Sequence, residues 1–179
     1  MNSLSLLGKL NGKKKSERKL RLVVLGLDNA GKTTILKALS KEDLQAAPTQ
    51  GFNIKTLSHS GFSFNVWDIG GQKAIRTHWK NYYDQTDSII YVIDSTDTKR
   101  LEECGEELQT LLEEDKLAGI PLLIFANKQD LFTALPAEDI SEKLNLDLIN
   151  DRAWSIVACS ATDGYGLEEG VEWMINIIE

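Results

Sequence analysis

The strongest constraint on the fold is the segment GLDNAGKTT at residues 26–34, which has the pattern G-x-x-x-x-G-K-T. It follows the apolar run LRLVVL at residues 20–25, which is typical of a buried strand. It precedes ILKAL at residues 35–39, which has helical periodicity. A glycine loop between a strand and a helix is the context in which this pattern binds phosphate. The sequence therefore predicts a strand, loop and helix that hold the phosphates of a nucleotide.

The residue types in this loop suit that chemistry. Glycines allow a tight turn and a close approach of backbone N–H groups to oxygen atoms, and the helix N-terminus adds positive charge. The lysine can reach the β- and γ-phosphates, and the first threonine can bind Mg²⁺. The alternative is a glycine-rich turn with an exposed lysine, which the flanking strand and helix disfavour. The predicted nucleotide-binding residues of the loop are Gly26, Asp28, Asn29, Ala30, Gly31, Lys32, Thr33 and Thr34.

The bulk properties predict one soluble domain. A chain of 179 residues can bury a sizeable core, and its composition is ordinary for a globular protein. It has no run of eighteen apolar residues and no apolar signal-peptide core near its N-terminus, so we expect neither a transmembrane helix nor secretion. The two cysteines, Cys104 and Cys159, indicate reduced thiols in a cytoplasmic protein.

The charge is distributed unevenly along the chain. The net charge is −7, but residues 1–21 contain seven basic residues and one acidic residue. An acidic body argues against nucleic acid as the main ligand. Within residues 1–12, four leucines fall on one face of a predicted helix that three lysines follow (Leu4, Leu6, Leu7 and Leu10). This segment could lie on a membrane, dock in a groove of its own protein, do each in turn, or be a disordered tail.

Strand and helix patterns alternate along the remainder of the chain. Predicted strands span residues 51–58, 62–68, 88–94, 121–126 and 153–158, and predicted helices span residues 99–117, 136–144 and 167–178. Residues 73–85 are predicted to be helical or irregular. The first two of these strands are joined by a tight link around Ser60 and Gly61, as in a β-hairpin. Alternating strands and helices predict a mainly parallel sheet that binds ligands at the carboxyl ends of its strands.

The sequence WDIGGQ follows one of these strands. An aspartate at that place in a phosphate-loop protein holds Mg²⁺, so Asp68 is a predicted metal ligand. Gly71 allows a backbone N–H to approach the γ-phosphate, and Gln72 can orient a water for in-line attack. The alternative for this sequence, in a chain without the phosphate loop, is an ordinary turn.

Thr49 lies in the loop between the first helix and the hairpin. A threonine there can close over Mg²⁺ and the γ-phosphate, which would order the loop only when the third phosphate is present. The predicted metal ligands are therefore Thr33, Thr49 and Asp68, and the predicted catalytic residues are Gln72, Lys32 and Thr49.

The sequence NKQD at residues 127–130 is predicted to select the base of the bound nucleotide. The Asp130 carboxylate can accept hydrogen bonds from both N1–H and the N2 amino group of guanine, a pair of donors that adenine does not supply. Asn127 is suited to holding neighbouring loops and Lys128 to covering the base. Ser160 and Ala161 end the last strand, where a backbone N–H can meet the guanine O6.

The motifs GLDNAGKT, PTQGFNI, WDIGGQ, FANKQD and CSA together resemble the ADP-ribosylation factor (Arf) group of small GTPases over essentially the whole chain. The resemblance implies an α/β phosphate-loop GTPase fold: a six-stranded, mostly parallel sheet with one antiparallel strand and helices on both faces. It implies GTP or GDP with Mg²⁺ as cofactors. The chain would divide into an N-terminal amphipathic switch helix with a basic linker at residues 1–16 and a GTP-binding domain at residues 17–179.

The resemblance also implies a switch and its partners. In this family the N-terminal helix docks on the body in the GDP state, and the hairpin slides on GTP binding and ejects it. Phe52, Trp67 and Tyr82 match the aromatic residues that bind effectors, although ordinary hairpin packing would also explain them. The implied partners of a monomer are a GTPase-activating protein, a guanine nucleotide exchange factor and carriers of lipidated cargo. Cilia and microtubules are the implied locations.

Three alternatives stay open at this point. One is a GTP-gated binding module with negligible hydrolysis, and another is a role in tubulin or microtubule regulation. A phosphate-loop kinase or ATPase is disfavoured by the NKQD sequence. The histidines, His59 and His78, have no metal-ligand spacing and are predicted to be structural or surface residues.

Some features depart from related patterns. Asn2 replaces the glycine needed for myristoylation, and no prenylation motif ends the sequence, so residues 1–15 should contact membranes weakly and reversibly. Asp28 occupies a loop position that is glycine in many Ras-like proteins. No arginine is evident in cis for the transition state. We therefore expect slow intrinsic hydrolysis that a partner's arginine accelerates by about 10³- to 10⁵-fold.

Overall fold

The computed structural model describes residues 18–40 and 51–179. The predictions for residues 1–16 and for Thr49 lie outside these residues. The strands are β1 (Arg18–Leu25), β2 (Phe52–His59), β3 (Phe62–Ile69), β4 (Ser88–Asp94), β5 (Leu122–Asn127) and β6 (Trp154–Ala158). The α-helices are α1 (Lys32–Ser40), α2 (Lys73–Arg76), α3 (Leu101–Leu112), α4 (Ala137–Lys143) and α5 (Leu167–Ile178).

The six strands form one sheet in the order β2-β3-β1-β4-β5-β6. Strand β2 is antiparallel to β3, and the other four pairings are parallel. The turn of the β2–β3 hairpin places Ser60 and Gly61 at positive φ, which explains the glycine. The predicted fold, with five parallel strands and one antiparallel strand, is confirmed. The carboxyl ends of β1, β3, β4 and β5 consequently share one edge of the sheet.

Apolar side chains fill both faces of this sheet. Leu22 and Val24 of β1 face the layer of α1 and α5, whereas Val23 and Leu25 face the layer of α3 and α4. All residues of β5 and nearly all of β4 are buried, as expected for central parallel strands. Strand β2 lies at the edge and is mostly exposed. The buried central strands give the loops at their carboxyl ends a rigid base.

Helix α3 is shorter than predicted. Short 3₁₀ turns at Thr98–Arg100 and Asp115–Leu117 flank it, where the sequence predicted one helix over residues 99–117. Glu114 has an extended backbone with ψ of 127°, which turns the chain out of the helix. Leu117 is nevertheless fully buried in the second of these 3₁₀ turns, so the core includes an apolar residue beyond the end of the helix.

Candidate functional site

The phosphate loop connects β1 to α1 at the shared edge of the sheet. Its glycines have positive φ, 147° at Gly26 and 96° at Gly31. A Cβ on Gly26 would lie 2.3 Å from Val92 O, and one on Gly31 would lie 2.4 Å from Asn127 Nδ2. Both positions therefore require glycine for conformation and for space. Thr33 and Thr34 lie in the first turn of α1, half-buried beside the loop.

The Lys32 side chain is folded back under the loop. Its Nζ donates to Gly26 O at 2.9 Å and to Leu27 O at 2.8 Å, and the residue is 6% exposed. Burial lowers the pKa of Lys32 to about 8, although the negative charges of Asp68 and Asp28 act in the opposite direction. The ammonium is thus a buried cation that a phosphate anion would stabilise.

We expect nucleotide binding to take up a proton through Lys32 at alkaline pH. A lysine with a pKa near 8 is partly neutral at higher pH, and phosphate oxygens beside it favour the charged form. Calorimetric titration with GDP in two buffers of different ionisation enthalpy should show proton uptake at about pH 8.5 that is absent near pH 7. The Lys32→Arg variant keeps its charge in this range and should lose the uptake. Equal proton release or uptake in both proteins would contradict this assignment.

Asp68 and Thr33 bring together a carboxylate and a hydroxyl that could hold a divalent cation. Asp68 is fully buried at the end of β3, and Thr33 Oγ1 donates to its Oδ2 at 2.6 Å. A carboxylate and a hydroxyl this close together match the hard-oxygen chemistry that Mg²⁺ prefers. Of the three predicted metal ligands, the structure brings these two together, and Thr49 lies outside the described residues.

Gly71 lies directly against the phosphate loop. A Cβ there would lie 2.3 Å from Gly26 O, 2.4 Å from Leu27 C and 2.5 Å from Asp28 N. Gln72 follows as the N-cap of α2, and its Oε1 is buried with no hydrogen-bond partner among the described residues. The backbone of Gly71 therefore lies beside the phosphate loop. The side-chain amide of the next residue, Gln72, has an oxygen atom that can accept a hydrogen bond.

Two arginines bind the loop residue Asp28. Arg100 donates from Nη1 to Asp28 Oδ1 at 2.7 Å and from Nη2 to Asp28 O at 2.8 Å, and Arg76 Nη2 lies 3.4 Å from the same carboxylate oxygen. Although burial alone would raise it, the pKa of Asp28 is lowered by the hydrogen bond and charge of Arg100. The sequence motifs do not predict that these two arginines bind Asp28. The one indication is that Arg76 lies one helical turn after Gln72.

Asn127 joins the phosphate loop to the end of β6. It is 2% exposed, its Nδ2 donates to Ala30 O at 3.0 Å, and its Oδ1 accepts from the backbone N–H of Ala161 at 3.1 Å. The next residue, Lys128, donates from Nζ to Asn29 O at 2.6 Å and to Asp94 Oδ2 at 2.7 Å. The predicted role of Asn127 in holding neighbouring loops corresponds to these contacts.

The carboxylate of Asp130 is exposed and oriented by a buried neighbour. Ser160 Oγ donates to Asp130 Oδ1 at 3.0 Å. Gln129 anchors the same loop through its Nε2, which donates to Ser95 Oγ and Leu135 O. A carboxylate held at the mouth of the site can accept two donors in one plane, as guanine recognition requires.

The three predicted effector-binding aromatics form one cluster on the outer side of the sheet edge. The ring centroids of Phe52 and Trp67 are 5.5 Å apart, and both rings contact Tyr82 at 5.2 Å and 5.9 Å. The Arg21 guanidinium lies 4.0 Å from the Trp67 ring centroid. Phe52 is 45% exposed, so the cluster presents an apolar surface.

No helix within residues 18–40 and 51–179 has the length and hydrophobicity that a membrane-spanning helix requires.

Comparison with protein families gives one match along nearly the whole chain. The model of the ADP-ribosylation factor family matches residues 4–178. ADP-ribosylation factor-like protein 3 of Chlamydomonas reinhardtii is 59% identical over 177 residues, which cover 98% of this chain and 100% of the relative. ADP-ribosylation factor-like protein 2 of Dictyostelium discoideum is 51% identical, covering 99% and 96%.

A solved structure shows the same fold. It is the Arl6 BBS3 small GTPase from Trypanosoma brucei with the bound nucleotide analogue GppNp, at a TM-score of 0.83 and 37% identity. The alignment covers 89% of this chain and 97% of that one.

Proposed function

Since this chain belongs to the ADP-ribosylation factor family of small GTPases, we propose that it is a GTPase switch with slow intrinsic hydrolysis. Members of this family bind GTP and GDP and hydrolyse GTP. The observation that carries the proposal is the packing of three loops at one sheet edge. The phosphate loop contacts Gly71 on one side and Asn127 on the other.

Each part of this edge has a proposed role. Lys32 binds the β- and γ-phosphates, and Gly71 offers its backbone N–H to the γ-phosphate. Gln72 orients the attacking water, for which its acceptor oxygen is available. Asp130 selects guanine. Thr33 and Asp68, with Thr49, would hold Mg²⁺, which neutralises charge on the phosphates.

Hydrolysis should depend on Gln72 and on a partner's arginine. The two guanidinium groups near the loop are bound to carboxylates, so neither is presented to the phosphates. In single-turnover assays we expect a slow basal rate and acceleration of about 10³- to 10⁵-fold by a GTPase-activating protein. The Gln72→Leu variant should lose that acceleration. If no activating protein accelerates the wild-type protein, the alternative of a GTP-gated module with negligible hydrolysis is favoured.

We also propose that the GTP state binds effectors through Phe52, Trp67 and Tyr82. The exposed aromatic cluster lies between β2, β3 and the 3₁₀ turn at Trp79–Tyr82, and this turn follows Gly71 and Gln72 closely in the chain. The Gln72→Leu protein loaded with GTP should capture partners that its GDP form does not. Adding Phe52→Ala to the Gln72→Leu protein should weaken the capture of partners by about 30-fold. This corresponds to the loss of an aromatic interface residue that contributes about 2 kcal/mol to binding. Partners that bind both nucleotide forms equally would contradict the switch.

An apolar groove supports the proposed docking of the N-terminal segment. The groove of about 360 Å³ lies between α1, the β2–β3 hairpin and α5, and its lining includes Leu39, Leu57 and Val171. Arg18 Nη1 donates to Ile178 O, so the chain enters β1 beside the end of α5. We propose that residues 1–16 occupy this groove in the GDP state and reach a membrane, weakly, in the GTP state.

The sequence at residues 49–53, 79–82 and 150–154 bears on the cargo of this GTPase. These segments resemble ADP-ribosylation factor-like protein 3, and ADP-ribosylation factor-like protein 2 is the alternative assignment. Relatives of both types are similar to this chain. We propose that the GTP state releases lipidated cargo from carrier proteins in ciliary or vesicular traffic, as a cytoplasmic protein that contacts membranes peripherally. A type 2 role in tubulin regulation is the alternative, which capture of tubulin-binding partners in the same experiment would favour.

A further inference from the structure

Arg76 is a buried cation with four acceptors around it. Its side chain is 3% exposed, and its Nε donates to Gly71 O at 2.7 Å. Nη1 donates to Glu103 Oε1 at 2.5 Å and lies 3.4 Å from Glu107 Oε1. Nη2 lies 3.4 Å from Asp28 Oδ1. One side chain thus connects the Gly71 carbonyl, helix α3 and the phosphate loop.

Asp28 is held from a second side by Arg100, in the 3₁₀ turn that leads into α3. Arg100 binds both the carboxylate and the backbone carbonyl of Asp28, and its Nε donates to Asp97 Oδ2 at 2.7 Å. The phosphate loop is therefore fixed relative to α3 by Arg100, independently of Arg76. The Arg76 contacts, in contrast, require Gly71 to lie where it does.

This difference makes the Arg76 contacts dependent on conformation. Arg76 belongs to α2 and follows Gly71 by five residues, so the two move together if the segment retreats from the loop. A retreat would separate the guanidinium from Glu103, Glu107 and Asp28, leaving three carboxylates without their shared cation. Because Arg76 is almost fully buried in this conformation, removing one of its carboxylate partners leaves a buried charge incompletely compensated, which the loss of a surface ion pair does not.

We propose that Arg76, Glu103, Glu107 and Asp28 form a latch that stabilises the conformation in which Gly71 lies against the phosphate loop. The inference rests on the proposed function, in which Gly71 N–H binds the γ-phosphate. Arg76, Glu103 and Glu107 position Gly71 rather than touch the nucleotide, whereas Asp28 belongs to the phosphate loop itself. The latch therefore raises the affinity for GTP relative to GDP, and the ion pairs on the acidic face of α3 depend on whether the third phosphate is bound.

The test measures the affinity for a GTP analogue relative to that for GDP, a ratio that a merely structural role of these residues would not change. We would determine dissociation constants for GDP and for a non-hydrolysable GTP analogue in wild type, Glu103→Gln, Glu103→Gln/Glu107→Gln and Arg76→Gln proteins. The GTP-analogue affinity relative to GDP should fall by roughly 5- to 150-fold in the double variant, the usual range of coupling between two sites. GDP affinity should be unchanged. Glu103→Gln is a single isosteric change at a side chain that is 36% exposed, so it tests the latch even if Arg76→Gln does not fold.

Arg152 provides the matched control. It is also a buried arginine, but besides the exposed carboxylate of Asp151 its partners are the backbone carbonyls of Leu112, Leu117 and Ile120. Arg152→Gln should lower the melting temperature without changing the affinity ratio. An unchanged ratio in the Glu103→Gln and double variants, or an equal change in Arg152→Gln, would overturn the latch. A wild-type protein that binds neither guanine nucleotide would instead refute the proposed function, and the latch with it.

Discussion

The Asp130→Asn variant is expected to lose about 10⁴-fold in GDP affinity, the scale at which a site rejects a ligand that leaves its polar groups unpaired. An asparagine amide offers one acceptor and one donor. Guanine presents two donors, N1–H and the N2 amino group, so one of them would face the amide N–H. Ser160 already donates to Asp130 Oδ1, which restricts how the amide can turn.

The same variant should gain affinity for xanthine nucleotides. Xanthine carries a carbonyl oxygen where guanine carries the N2 amino group, and that oxygen can accept from the asparagine amide. Competition titrations with GDP and xanthosine diphosphate would measure both effects. Asp147→Asn, the same change at an exposed aspartate in the Leu146–Leu148 turn, is the control and should bind GDP as the wild type does. Retained GDP affinity in Asp130→Asn would place base recognition elsewhere.

Gly71→Ala should block the GTP conformation while leaving GDP binding intact. The added Cβ would fall within 2.5 Å of three atoms of the phosphate-loop backbone, at Gly26, Leu27 and Asp28. Backbone atoms in a loop fixed by Arg100 and Asn127 cannot move aside as a flexible side chain would. We expect the GTP-analogue affinity to fall by at least about 100-fold, equivalent to about 2.8 kcal/mol.

The measurement for Gly71→Ala is again the GTP-analogue affinity relative to GDP, together with effector capture. Gly119→Ala is the matched control, because a Cβ at Gly119 would have no neighbour within 4 Å, although its positive φ of 71° costs some stability. A Gly71→Ala protein that binds the GTP analogue normally and captures partners would show that Gly71 does not approach the γ-phosphate.

Local patterns in the sequence predicted the strands, the hairpin and a mainly parallel sheet, and the resemblance to the Arf group implied the six-stranded topology. The apolar runs that form β4 and β5 are buried on both faces, so they show as continuous hydrophobic segments. The length of α3 was predicted wrongly because Leu117 is buried like the inward leucines of α3, although it lies in a separate 3₁₀ turn that follows the extended backbone of Glu114. Burial of an apolar residue does not by itself place it in the preceding helix.

The candidate site was predictable where short motifs carry the chemistry. The phosphate loop, Asp68 with Gly71, and Asn127 with Asp130 each lie at the carboxyl end of a strand, and parallel strands bring these ends together. Arg76 and Arg100 could not be found in this way. Their bonds to Asp28 span 48 and 72 residues of sequence, and no local pattern distinguishes a buried arginine from an exposed one.

Asn127 contacts both ends of the candidate nucleotide site. Its Nδ2 donates to Ala30 O of the phosphate loop, and its Oδ1 accepts from the Ala161 N–H in the loop after β6. Because a single planar amide makes both bonds, we expect a displacement of the phosphate loop to loosen the loop after β6 as well. A partner protein that promotes nucleotide release would then need to displace only one end of the site to shorten the residence time of the whole nucleotide.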